Sequence, residues 1–101
     1  MEDSKKAFSN WRMGAVHLRF PNGNWISTTW ASGSYSDNYG SNRSWSGQFV
    51  RMESDTCEIM VECPDKLHRK IWKKYGEGTD NSVLGYLNIK QWAEIVTILS
   101  K

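Results

Sequence analysis

Thiols, imidazoles and carboxylates are the first groups in this 101-residue chain that could do chemistry. Cys57 and Cys63 flank the run Glu58-Ile59-Met60-Val61-Glu62. On one extended strand the even offset puts both thiols on the face of Ile59 and Val61, roughly 20 Å apart at about 3.3 Å per residue. A disulfide needs Cα atoms within about 7 Å, so the two cannot bridge each other inside that strand. The expectation is reduced thiols serving as small buried hydrophobes. A metal site would require His17 and His68 to converge on them, and no Cys or His pair has ligand spacing. His17 falls on the outward face of a first strand and His68 on the edge of a helical stripe, structural or exposed positions. Glu58 and Glu62, on one strand face, would stand about 13 Å apart, beyond the separation at which two glycosidase carboxylates cooperate. No Walker or dinucleotide fingerprint is present to cradle phosphate. Catalysis, cofactor and metal are therefore not expected.

Binding chemistry is better represented. Residues 32 to 47 form a long Ser/Gly/aromatic loop in which Tyr35, Tyr39 and Trp45 are spaced among Ser, Gly and Asn. Arg43 is the base of this segment and Asp37 its acid. Rigid rings beside small adaptable polar groups are the mixture used by antibody paratopes. Such a loop can grip a protein, or stack on a nucleotide base with Arg43 on a phosphate; alternatively, one or two rings fold back over the core. A second candidate is the cationic set Arg69, Lys70, Lys73 and Lys74, with Lys66 just before it. It could meet phosphates or an acidic partner, or be a solvated helix face. Glu53, Asp55, Glu58 and Glu62 lie just upstream, and a net charge of +2 is too weak for general nucleic-acid affinity.

The elements that must position these residues follow from periodicity. The length suits a single domain over residues 1 to 101. Its 13% aromatic content lets a short chain build a core from few side chains. No apolar run approaches the roughly 18 residues of a spanning helix, and the charged start Met1-Glu2-Asp3-Ser4-Lys5-Lys6 has no apolar stretch behind it, so neither membrane nor secretory signal is expected. Residues 1 to 12 read as a short helix or a packed arm. Val16, Leu18 and Phe20 alternate with Ala15, His17 and Arg19, and Pro21-Asn22-Gly23-Asn24 supplies a turn. Residues 25 to 31 alternate again, with Ile26, Thr28 and Trp30 on one face, completing a hairpin. Phe49, Val50 and Met52 suggest a third strand, and residues 57 to 63 a fourth. After Pro64, Leu67, Ile71, Trp72 and Tyr75 make one helical face opposite the cations, and Gly76 ends it. Val83 to Leu87 is a short extended piece. Asn88 and Gln91 then form a capping box for a helix whose stripe is Trp92, Ile95, Val96 and Leu99. Strands followed by two amphipathic helices make an α+β domain, an antiparallel sheet of about four strands with both helices in the C-terminal half.

Three segments together have a familiar order: Phe20-Pro21-Asn22-Gly23 followed by Ser27, the strand Glu58-Ile59-Met60-Val61, and Leu84-Gly85-Tyr86-Leu87 leading into the last helix. Over roughly residues 16 to 101 the chain resembles small, mostly uncharacterised bacteriophage proteins of about this length. The resemblance implies a phage product in a bacterial cytoplasm, where short proteins of this kind often block host machinery, including CRISPR systems and nucleotide-signalling defences. It brings no catalytic residues, and neither the Ser/Tyr/Trp loop nor the basic helix belongs to the shared pattern. Two functions are then in play. One is a binding protein that inhibits a host defence component, anchored by Tyr35, Tyr39, Arg43 and Trp45 and steered by Arg69, Lys70, Lys73 and Lys74. The other is a sponge for a signalling nucleotide, in which a homo-oligomer would build the pocket. Direct binding of nucleic acid is the weakest reading.

Overall fold

The structure, a computed structural model, describes residues 6–11, 13–40, 51–76 and 83–101. Along the chain run β1 (Phe8–Trp11), β2 (Ala15–Arg19), β3 (Trp25–Thr29), β4 (Arg51–Ser54), β5 (Cys57–Glu62), α1 (Asp65–Tyr75), β6 (Leu84–Leu87) and α2 (Ile89–Leu99). The fold is α+β, as the sequence pattern implies. The described strands form two antiparallel sheets: a four-stranded one in the order β2-β3-β5-β6 and a two-stranded one, β1-β4. Two details differ from the sequence reading. Residues 8 to 11 are neither helix nor arm but a strand, which places Phe8 opposite Ser54 and Asn10 opposite Met52. Met52 accordingly belongs to a strand outside the main sheet, while Phe49 and Val50 lie outside the described residues. Four residues carry too little periodicity to identify β1; its distant partner supplies the backbone hydrogen bonds.

The main sheet is sided as its alternation requires. Ile26, Thr28, Cys57, Ile59 and Val61 face a core shared with Ile71 and Trp72 of α1 and Ile95 and Leu99 of α2. Thr28 is fully buried, and its hydroxyl accepts the Trp92 indole N–H at 2.8 Å, which removes the cost of an unpaired polar group. Trp25, Ser27, Glu58, Met60 and Glu62 lie on the opposite face, where the Trp25 indole donates to Glu62. β2 is an edge strand, so Val16 remains partly exposed and Leu18 only half-buried.

Aromatic side chains join the two sheets. The Trp30 indole N–H donates to the Met52 carbonyl at 2.9 Å. The Phe8 ring lies 5.6 Å from that of Trp30 and meets Trp92 edge-on at 6.0 Å. The β2–β3 turn has a second task. With Gly23 at a φ of 93°, the Phe20 N–H reaches the Asn24 carbonyl at 2.8 Å. Asn22 then donates to the carbonyls of Leu99 and Lys101, and Asn24 to that of Leu99. A helix leaves its last carbonyls without partners, and this turn supplies them to α2. Among the described residues no helix is long and apolar enough to cross a membrane.

At the other end of α2 the capping box is complete. The Gln91 N–H donates to Asn88 Oδ1, and the Asn88 N–H to Gln91 Oε1, both at 2.9 Å. Replacing an Asn cap by Ala costs about 1 kcal/mol, which for a domain of this length lowers Tm by roughly 4–8 °C. Calorimetry of Asn88→Ala should show that drop, with the circular dichroism of the folded state unchanged.

Candidate functional site

The segment 31–40 offers only Ala31 as an aliphatic side chain, so apolar burial cannot order it. Polar groups do so instead. The Ser34 hydroxyl donates to the Ala31 carbonyl at 2.6 Å and lies 2.7 Å from the Ser36 hydroxyl; both serines are buried. The Asn38 amide bridges the carbonyls of Trp30 and Glu53 at 2.7 and 2.8 Å. Asp37 locks the segment to the β4–β5 turn. Its carboxylate accepts the Thr56 hydroxyl at 2.8 Å and the Asp55 N–H at 3.0 Å, while its own N–H donates to Thr56 Oγ1. These bonds, the Thr56 hydroxyl foremost, hold the Asp37 carboxyl below its ordinary pKa. Tyr35 is tied on both sides: its N–H donates to Glu58 Oε1 at 3.1 Å and its carbonyl accepts the Tyr86 N–H at 2.8 Å.

With the backbone held, the rings have nowhere to sink. Tyr35 and Tyr39 stack at 5.4 Å with planes 10° apart, and the Tyr86 ring lies 6.5 Å from that of Tyr35. All three residues are about half exposed, at 44, 53 and 55%. The lid alternative therefore does not apply to Tyr35 and Tyr39. Two backbone features place Tyr86 beside them. A Cβ at Gly85 would stand 2.5 Å from Tyr35 Cβ, so only glycine allows the approach. Tyr86 itself has a φ of 54°, uncommon for any residue but glycine and costly for a bulky one. Simple alternation puts Tyr86 on the face of buried Leu84. The left-handed residue and a register shift between β5 and β6 turn it outward, which is why sequence reasoning missed it. An aromatic directly after a lone glycine was the only signal.

The remaining candidates divide as follows. Arg43 and Trp45 lie outside the described residues. Arg69, Lys70, Lys73 and Lys74 are exposed on α1, a helix packed on the sheet face opposite to that of Glu58. The structure thus separates the cations from the tyrosines it brings together. Lys74 lies 3.8 Å from Glu94 and 5.3 Å from the centre of the Tyr75 ring. Arg69 and Lys73 line an open concavity of about 500 Å³ with His68, Trp72 and Gly76. In its lining the His68 ring stacks on Trp72 at 4.0 Å. His17 likewise packs on Trp25, at 5.0 Å. Both cysteines are free; burial pushes the Cys57 thiol up to about 12 and also raises that of half-buried Cys63. Among the described residues, no three His, Cys, Asp or Glu side chains converge as metal ligands would. No family model matches the chain, and no curated protein or solved structure matches it either.

The Asp37 lock has a pH signature. A carboxyl whose pKa is lower folded than unfolded stabilises above its unfolded value, near 3.9, and the contribution is lost as pH falls through the folded value. In an NMR titration the Asp37 carboxyl resonance should move at lower pH than that of an unperturbed aspartate. In Thr56→Val, which removes the strongest donor, that movement should begin at higher pH.

Proposed function

We propose that this chain is a small non-enzymatic binding protein that acts by occupying the surface of another protein, with Tyr35, Tyr39 and Tyr86 as its anchors. The carrying observation is the exposed tyrosine cluster on a hydrogen-bonded frame. Tyrosine is a favoured hot-spot residue because it brings large contact area on few rotatable bonds. The backbone of Tyr86 strengthens the reading: a left-handed conformation costs a side chain of this kind on the order of 1–2 kcal/mol, which Asn or Gly would largely avoid. Strain of this sort is found at functional positions. Arg43 and Trp45 remain candidate anchors from the same loop, and the α1 cations would steer approach to an acidic surface. The resemblance to small phage proteins supplies the context, inhibition of a host defence component such as a CRISPR effector in a bacterial cytoplasm.

A second reading, sequestration of a signalling nucleotide, is favoured by one arrangement. The α1 concavity sets Arg69 and Lys73 beside the His68–Trp72 stack, joining cations to an aromatic surface as a nucleotide requires. It thereby moves that function away from the tyrosines.

The deciding experiment is capture from a phage-susceptible bacterial lysate, comparing wild type with Tyr39→Ala/Tyr86→Asn. One host protein should be recovered near one to one and lost in the double variant, whose Tm should match or exceed wild type. A partner retained by the variant would overturn the tyrosine surface. Specific capture of nothing, together with a rise in Tm on adding cyclic dinucleotides, would favour the sponge; ligand at about 100 times Kd stabilises by about 2.7 kcal/mol.

A further inference from the structure

We infer that the tyrosine surface receives a cationic side chain, an arginine or lysine of a partner protein, and not a phosphate-bearing ligand. The inference rests on reading this surface as a protein contact and adds the chemistry of what it contacts. It begins with charge. Two carboxylates belong to the frame that holds the rings: Asp37 lies between Tyr35 and Tyr39 in the chain, and Glu58 accepts the Tyr35 N–H through one oxygen. Asp55 donates its own N–H to Asp37. Among the described residues the cation tied into this frame is Lys6, 3.1 Å from Asp55. Its ammonium is held above its ordinary pKa by Asp55 first, with Asp37 and Glu53 contributing, as expected where carboxylates outnumber cations.

The rings favour the same sign of charge. An aromatic face carries negative quadrupole density and attracts ammonium or guanidinium groups. Tyr35 and Tyr39 stack against each other with Tyr86 beside them, and all three residues are about half exposed. A planar guanidinium can lie on such a face while its N–H groups reach carboxylate oxygens. Glu58 retains acceptor capacity after binding the Tyr35 N–H, since a carboxylate has about four lone-pair sites. A phosphate placed there would face carboxylates of its own sign, while Arg69, Lys70 and Lys73 ride on the helix packed against the other side of the sheet.

The test uses the full chain with ¹³C-labelled tyrosine rings, titrated with hexa-arginine, hexa-glutamate or a short oligothymidylate. Hexa-arginine should move the Tyr35, Tyr39 and Tyr86 resonances saturably, and the effect should weaken as salt shortens the screening length. Glu58→Gln keeps an acceptor for the Tyr35 N–H and removes the charge; it should weaken hexa-arginine binding about two- to five-fold. Asp37→Asn should do the same, with the ring contact between Tyr35 and Tyr39 retained as the check on folding. Ring shifts caused by oligothymidylate and not hexa-arginine would overturn the inference, as would unaltered hexa-arginine binding in both charge variants. Concentration-dependent self-association lost in Arg69→Glu/Lys73→Glu would overturn it too, by making a second copy the occupant. Failure here is separable from failure of the wider reading. A captured partner lost in Tyr39→Ala/Tyr86→Asn but indifferent to Glu58→Gln would keep the surface and discard the cation.

Discussion

The Tyr86 N–H meets the Tyr35 carbonyl at 2.8 Å, and the arrangement of the tyrosines depends on that contact. It brings a loop against the last strand of the main sheet, close enough that residue 85 must lack a Cβ. A single intramolecular hydrogen bond contributes only about 0.5–1.5 kcal/mol net. It holds here because it closes a set: Glu58 grips the same residue from the other side, Asp37 and Thr56 fix the next turn, and Asn38 bridges two carbonyls. Each bond is made between groups that the others have already placed. This is how polar interactions order a segment that has almost no apolar side chain to bury.

The rest of the molecule meets the opposite problem, a small domain that must bury enough apolar surface with few residues. It does so by setting two helices on one face of a four-stranded sheet and filling the seam to the second sheet with Phe8, Trp30 and Trp92. The two heteroatoms carried in by the indoles are both satisfied, on the Met52 carbonyl and the Thr28 hydroxyl. The β2–β3 turn closes the far end by capping α2 with Asn22 and Asn24. Packing and polar satisfaction therefore use the same residues, and the face that carries Glu58 is left to support the loop.

How much of this was legible in the sequence depended on range. The hairpin, the sidedness of β5, the α1 stripe and the Asn88–Gln91 box are local patterns, set by period two, period 3.6 and capping chemistry, and each is visible without a partner. β1 was not legible because Phe8 to Trp11 becomes a strand only through pairing with residues some forty positions later. Two of the three rings were visible as well: Tyr35 and Tyr39 stand out among small polar residues. Tyr86 did not, because a positive φ and a register shift reverse the face that alternation assigns. The expectation that loop rings and helix cations act together also rested on composition. Topology places them on elements tied to opposite faces of one sheet.

The loop divides its labour between residues in a way that bears on how such a surface changes over generations. Ser34, Ser36, Asp37 and Asn38 hold the backbone, whereas the side chains of Tyr35 and Tyr39 make no hydrogen bond to the frame among the described residues. Mutations at 35 and 39 can therefore change the exposed surface without dismantling the loop. Position 86 is the exception, since its backbone conformation favours Asn or Gly and the ring there stands against that bias. Substitution is therefore tolerated first at 35 and 39, whereas an aromatic at 86 carries a standing conformational cost.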